Sequence, residues 1–91
     1  MLKTKVMAAE PPVLYFDRLL DASGRPTSPP IYRVRTCARE LGTVERRGNF
    51  FGRDLLWIAS GMAEAHVPGR RTRRAAAEWL LEWSRQQEKA Q

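Results

Sequence analysis

The sequence predicts an α+β fold in which a three- or four-stranded antiparallel sheet packs against one C-terminal helix. Three observations carry that expectation. Residues 31–36 alternate apolar and basic side chains at the period of a half-buried strand. Leu55-Leu56-Trp57-Ile58-Ala59 is a continuous apolar run of strand length. Ala76, Trp79, Leu80 and Trp83 recur at helical spacing.

Taken in order, residues 1–12 read as a flexible N-terminal arm ending in Pro11-Pro12, without the apolar stretch of a secretory signal. Val13-Leu14-Tyr15-Phe16 is short and aromatic, as a strand would be. Asp17 to Leu20 is open to strand continuation or one helical turn. Asp21 to Pro30, rich in Pro, Ser, Gly and Asp, is a loop. In the strand that follows, Tyr32, Val34 and Thr36 share an inner face, while Ile31, Arg33, Arg35 and Cys37 share the outer one. Leu41 to Arg46 forms the next strand, with a close backbone approach at Gly42. Arg47-Gly48-Asn49 makes a turn, beside Phe50-Phe51-Gly52. The run 55–59 reads as a buried strand. Asp54 to His66 also fits a helix with Leu55, Ile58, Ala59 and Met62 on one face, although Ser60-Gly61 weakens it. Pro68-Gly69 breaks the chain, Thr72 is placed to cap a helix, and that helix spans residues 73–87. Arg74/Glu78 and Glu82/Arg85 are spaced to pair on its exposed side. The domain is thus expected over residues 13–87, with 88–91 a frayed tail.

A chain of 91 residues makes one small domain, and 43% hydrophobic residues with three tryptophans give it enough apolar surface to fold. Its formal net charge is +6, and its pI is near 10.4. Such a balance favours nucleic acid, an acidic protein surface or an anionic membrane as partner. The charge is segregated: residues 31–59 carry net +3 and residues 70–91 another +3. Thirteen arginines against three lysines suit bidentate contacts, and a GC-rich coding sequence would give the same bias.

Catalysis has no foothold in the motifs. Asp17, Asp21, Glu40, Glu45, Asp54 and Glu64 are scattered, and no nucleophile elbow, phosphate loop or zinc-ligand pattern is present. Cys37 and His66 each stand alone, so neither a disulfide nor a metal site is expected, nor any cofactor. A reducing cytoplasm is the expected setting. No segment has the roughly 20 apolar residues that span a bilayer, so no membrane partner is expected. The expectation is a non-enzyme.

The basic residues point to binding. Arg70, Arg71, Arg73 and Arg74 crowd the start of the C-terminal helix, where the helix dipole disfavours cations by about 0.3–1 kcal/mol each. Exposed N–H groups at the same place attract anions. Arg33 and Arg35 project from one strand face, and Arg46, Arg47 and Arg53 flank the turn after the next strand. A sheet presenting arginines fits a DNA major groove, with phosphate contacts around its rim. A solvated sheet face and a solvated basic turn are the plain alternatives. Phe50 and Phe51, beside the glycine turn, are the candidate contacts for a protein partner. Trp79 and Trp83 have core spacing.

Tyr32-Arg33-Val34, Leu41-Gly42-Thr43-Val44, Trp57 and the helix from Thr72-Arg73 to Trp79-Leu80 together resemble the small three-stranded-sheet-plus-helix modules of AP2-like domains and of the arm-type DNA-binding domains of phage integrases. The resemblance covers residues 31–83. It implies that the sheet enters the major groove and that Arg33, Arg35, Arg46 and Arg47 make the groove contacts. The chain lacks an integrase catalytic domain after the module, and its aromatic segment 13–20 has no counterpart there. The resemblance fits an accessory protein of a phage or plasmid.

The sequence therefore predicts non-catalytic nucleic-acid binding, with double-stranded DNA the expected target. The alternative is an interaction module or inhibitor from a mobile element that docks on an acidic host protein. If residues 54–66 were helical, a helix-turn-helix regulator would follow. Oligomeric state is open, because an exposed strand edge can pair two copies.

Overall fold

Antiparallel pairing follows the order of the chain. Strand β1 (Tyr15–Arg18) pairs with β2 (Ile31–Arg35), β2 with β3 (Glu40–Gly48), and β3 with β4 (Leu55–Ala59). A single-turn helix α1 (Met62–Ala65) follows, and helix α2 (Arg73–Lys89) packs back on one face of the sheet. The computed structural model describes residues 12–48 and 55–89. The arrangement is the α+β class that the strand and helix periodicities predict, with four strands.

The core lies between α2 and the inner sheet face. Val34, Val44 and Ala59 meet Met62 of α1 and Ala76, Ala77 and Leu80 of α2, all buried. Two alanines at the contact let the helix approach the sheet closely. Gly42 extends that approach. Its φ of 147° is open to glycine, and a Cβ there would stand 3.3 Å from Leu80 Cδ2. Phe16, Tyr32, Trp57, Trp79 and Trp83 surround this centre, half-buried. Trp79 and Trp83 stack at 5.6 Å along α2, and Trp83 lies against Gly61 at the start of α1. The Ala59 N–H donates to the Met62 sulfur at 3.2 Å, which ties α1 back to β4.

Helix α2 starts where its capping residue places it. The Ala75 N–H donates to Thr72 Oγ1 at 3.1 Å, filling one of the unpaired donors of the first turn. On the solvent side Arg74 pairs with Glu78 (3.7 Å) and Arg85 with Glu82 (3.8 Å). The helix continues past residue 87 to Lys89, and Arg39 from the β2–β3 turn bonds to both Glu88 and Ser84 there.

The bounds of β1 and β3 differ from the sequence reading, and the choice left open over residues 54–66 falls to the strand. β1 is displaced two residues toward the C-terminus, because Tyr15 to Arg18 form the register with Arg35 to Tyr32. This resolves Asp17-Arg18 as strand. β3 runs on through Arg47 and Gly48, which pair with Leu56 and Leu55, so these two residues are strand in place of the expected turn, and Asn49 lies outside the described residues. Residues 55–59 are strand, and only Met62–Ala65 are helical in the segment that also fitted one long helix. The reason is tertiary: β4 completes the ladder of β3, and Gly61 (φ 95°) and His66 (φ 56°) stop α1 on both sides. A helix-turn-helix is thereby excluded. The segment after α1 returns along β4, where Trp57 and Arg70 exchange backbone hydrogen bonds of 2.6 and 2.9 Å. That single bridge ties down the middle of the β4 edge, and no strand pairs with the outer edge of β1 among the described residues.

Candidate functional site

Register decides how the arginines are distributed. Val34 and Val44 face α2, so alternation sends Arg33, Arg35, Glu45 and Arg47 to the opposite, outer face. There each arginine has a carboxylate. Arg35 Nε donates to Asp17 at 2.7 Å, Arg47 Nη2 to Glu45 at 2.9 Å, and Arg33 Nε lies 3.4 Å from Glu40. The hydrogen bond to Asp17 and the charge of its carboxylate push the Arg35 guanidinium further up, so it stays protonated throughout. Arg35 also lies 4.7 Å above the Tyr15 ring. These pairs lie at the surface, with Glu45 the one half-buried member, and exposed pairs contribute about 0–1 kcal/mol each. Their effect on the field is larger than their effect on stability: three cations and three anions cancel over this face.

Arg46 goes the other way. It sits between Val44 and the β3 end on the helix-facing side, directly across from Trp57. Helix α2 begins over the same end of the sheet. Its first residue, Arg73, places its guanidinium carbon 4.4 Å from the Phe16 ring centre and 4.5 Å from that of Tyr32. Tyr32 contacts Trp57 at 5.9 Å and Phe16 edge-on at 6.3 Å. Arg18, at the end of β1, sits 5.4 Å from the same Tyr32 ring and donates from Nη2 to the Thr27 carbonyl oxygen at 2.7 Å. Arg70 is held beside Trp57 by the backbone pairing, with Nη1 donating to the Pro68 carbonyl oxygen at 2.9 Å. Arg71 is exposed in the bend between them.

Six ion pairs form among the described residues, each with one arginine: 33, 35, 39, 47, 74 and 85. The arginines without a carboxylate partner among the described residues are Arg18, Arg25, Arg46, Arg70, Arg71 and Arg73. All belong to the end of the sheet where α2 starts, with Arg25 on the loop that joins β1 to β2 at that end. The surplus charge of the described residues is therefore gathered at one end. The first turn of α2 has no acidic residue to offset it. About 0.3–1 kcal/mol per cation is forgone near the helix start, and a bound anion would recover it.

The residues expected to bind nucleic acid thus fall into two groups. Arg46, Arg70, Arg71 and Arg73 come together. Arg33, Arg35 and Arg47 share the outer face with their carboxylates, and Arg74 is paired along the helix with Glu78. Arg53, Phe50 and Phe51 lie outside the described residues. Arg18, with Phe16 and Tyr32 as its neighbours in the cluster, is new. Its sequence signal was the β1 register, which the ambiguity of Asp17 to Leu20 concealed.

Among the described residues no group of His, Cys, Asp and Glu is placed to hold a metal ion, and Cys37 is exposed. No described helix is long and apolar enough to cross a membrane. Comparison with protein-family models, with curated proteins and with solved structures gives no match to this chain.

Proposed function

We propose that this protein is a non-catalytic nucleic-acid-binding factor that engages the phosphate backbone of double-stranded DNA through the end of the sheet where α2 begins. The observation that carries the reading is the convergence of Arg18, Arg46, Arg70, Arg71 and Arg73 without a carboxylate partner among the described residues. Elsewhere the described arginines are largely balanced by acids. Arginine forks match phosphate oxygens in plane, and clustered cations gain affinity by releasing the counterions condensed on DNA. On this reading the outer sheet face is not the principal contact. Arg33, Arg35 and Arg47 contribute less than the resemblance to integrase arm-type domains implies, because each would first have to leave its carboxylate.

The test is fluorescence anisotropy of a labelled duplex titrated with the full chain at ~50 and ~200 mM salt. Four to five phosphate contacts predict an affinity loss of roughly 10²- to 10³-fold between the two. Absence of binding at the lower salt would overturn the reading. In that case, nuclease-resistant capture of a purified acidic protein would support the docking alternative.

A further inference from the structure

We infer that Arg18 and Arg73 form a clamp for a single phosphoryl oxyanion, with the Tyr32 ring as the shared platform that holds both guanidinium groups. The inference rests on the nucleic-acid reading for the source of the phosphate, and it specifies which two residues take it.

Both guanidinium carbons lie within 5.4 Å of the Tyr32 ring centre. Neither has a carboxylate partner among the described residues. Two like charges sharing one ring repel each other, and the fold holds them there by separate means. Arg73 is laid over Phe16 and Tyr32, at 4.4 and 4.5 Å. Arg18 is anchored to the Thr27 carbonyl oxygen at 2.7 Å and approaches the Tyr32 hydroxyl at 3.5 Å. An oxyanion between them converts the repulsion into two attractions.

The geometry also fixes which donors are left. A guanidinium stacked on an aromatic ring uses its face and keeps its N–H edge for in-plane bonds to two oxygens. The Arg73 donors have no partner among the described residues. Packing has also restricted this side chain before any ligand arrives, so less entropy is lost on binding. Phe16 and Tyr32 are then positioning residues: they act through the arginines and do not meet the phosphate. A lysine at position 73 keeps the charge but loses the planar fork, so the exchange is not conservative here. Arg85, paired with Glu82 toward the other end of α2 and without a ring beneath it among the described residues, lies outside the cluster, and lysine serves there as well.

Two experiments on the full chain test this. In the first, a ¹⁵N-labelled sample is titrated with inorganic phosphate against chloride at matched ionic strength. The Nε–H signals of Arg18 and Arg73 should move along one saturating curve while that of Arg25 stays with the chloride control. Arg73→Lys should abolish the Arg18 response. A drift of all three with ionic strength alone, or an Arg18 response that survives Arg73→Lys, would overturn the clamp.

In the second, duplex affinity is compared for wild type, Arg73→Lys and Arg85→Lys, each with an unchanged thermal melt. Loss of one bidentate charge-assisted contact predicts about tenfold weaker binding for Arg73→Lys, and Arg85→Lys, which keeps the charge outside the cluster, should stay within about twofold. Equal affinity of the two variants would overturn the clamp. Duplexes with and without a 5′-phosphate identify the source: a gain from the 5′-phosphate assigns the clamp to a terminal phosphomonoester, and equal affinity assigns it to an internal phosphodiester. A phosphate response without duplex binding would overturn the nucleic-acid reading and leave the clamp standing. Duplex binding without a phosphate response would do the reverse.

Discussion

Leu80→Ala should bring this domain close to its unfolding threshold. Leu80 is fully buried and stands over Gly42, with Ala76 and Ala77 beside it in the core. The substitution removes three carbons, worth about 0.8 kcal/mol each in transfer alone. The space left has few ways to close. Gly42 has no side chain to swing in, the two alanines cannot extend, and the β3 backbone is held on both sides by β2 and β4. The total should therefore fall in the upper half of the observed Leu→Ala range of roughly 2.7–5 kcal/mol, near 4. The higher helix propensity of alanine returns only a few tenths of a kcal/mol. A domain of this length has about 5–14 kcal/mol in all, so the loss is a large share of it. Equilibrium urea unfolding followed by tryptophan fluorescence should show a lowered midpoint with the slope kept. The melting temperature should drop by roughly 15–30 °C. A loss below about 1 kcal/mol would refute the placement of Leu80 at the helix–sheet contact.

Three further outcomes follow from local contacts. Thr72→Ala removes the side-chain acceptor of the Ala75 N–H and should cost about 1 kcal/mol; an unchanged urea midpoint would show that α2 does not depend on this cap. Gly61→Ala forces a side chain into a left-handed position (φ 95°), 2.7 Å from the Trp83 ring, and should cost more than the roughly 1–2 kcal/mol of that conformation alone; a melt within a degree or two of wild type would contradict the Trp83 packing. Asp21 is held below the usual carboxylate value, first by the Ser23 hydroxyl and then by the backbone N–H groups of Arg25 and Ser23. A lowered pKa in the folded state means that the carboxylate's support for the 19–30 loop is present above the unfolded value and is lost as pH falls through the folded one. The Ser23 and Arg25 amide signals should thus titrate at more acidic pH than a free aspartate and should lose the transition in Asp21→Asn. A midpoint at or above the free value would contradict it.

What could be read from the sequence depended on whether a local pattern or a distant partner decided the outcome. The face of β2 and the apolar stripe of α2 are local periodicities, and Val34, Ala76 and Leu80 lie where those periodicities put them. Thr72 caps the helix by a three-residue contact of the same local kind. The charge pattern needed more. Arg35 and Asp17 are 18 positions apart, and Arg39 and Glu88 49; only the paired strands and the packed helix bring them together. Arg46 and Arg47 read as neighbours flanking one turn, yet β3 continues through both, so they face opposite sides of the sheet. Extending the period of Gly42 and Val44 two residues further, to Arg46, would have separated them. Arg18 depended on the β1 register, which becomes determinate only when Phe16 is set across from Val34. Residues 55–59 were ambiguous for a general reason: a short apolar run has no period until something packs on it.

One comparison bears most directly on the functional claim. Arg46, Arg70 and Arg71 are changed together to Gln in one variant, and Arg33, Arg35 and Arg47 in another. Both lose three positive charges, so any difference in duplex affinity comes from position and not from net charge. The proposed interface predicts that the first variant binds at least about tenfold more weakly than the second, and that its salt slope falls by up to about 3 from that of wild type. Equal losses, or a larger loss for the outer-face variant, would contradict it and return the groove-reading sheet to first place.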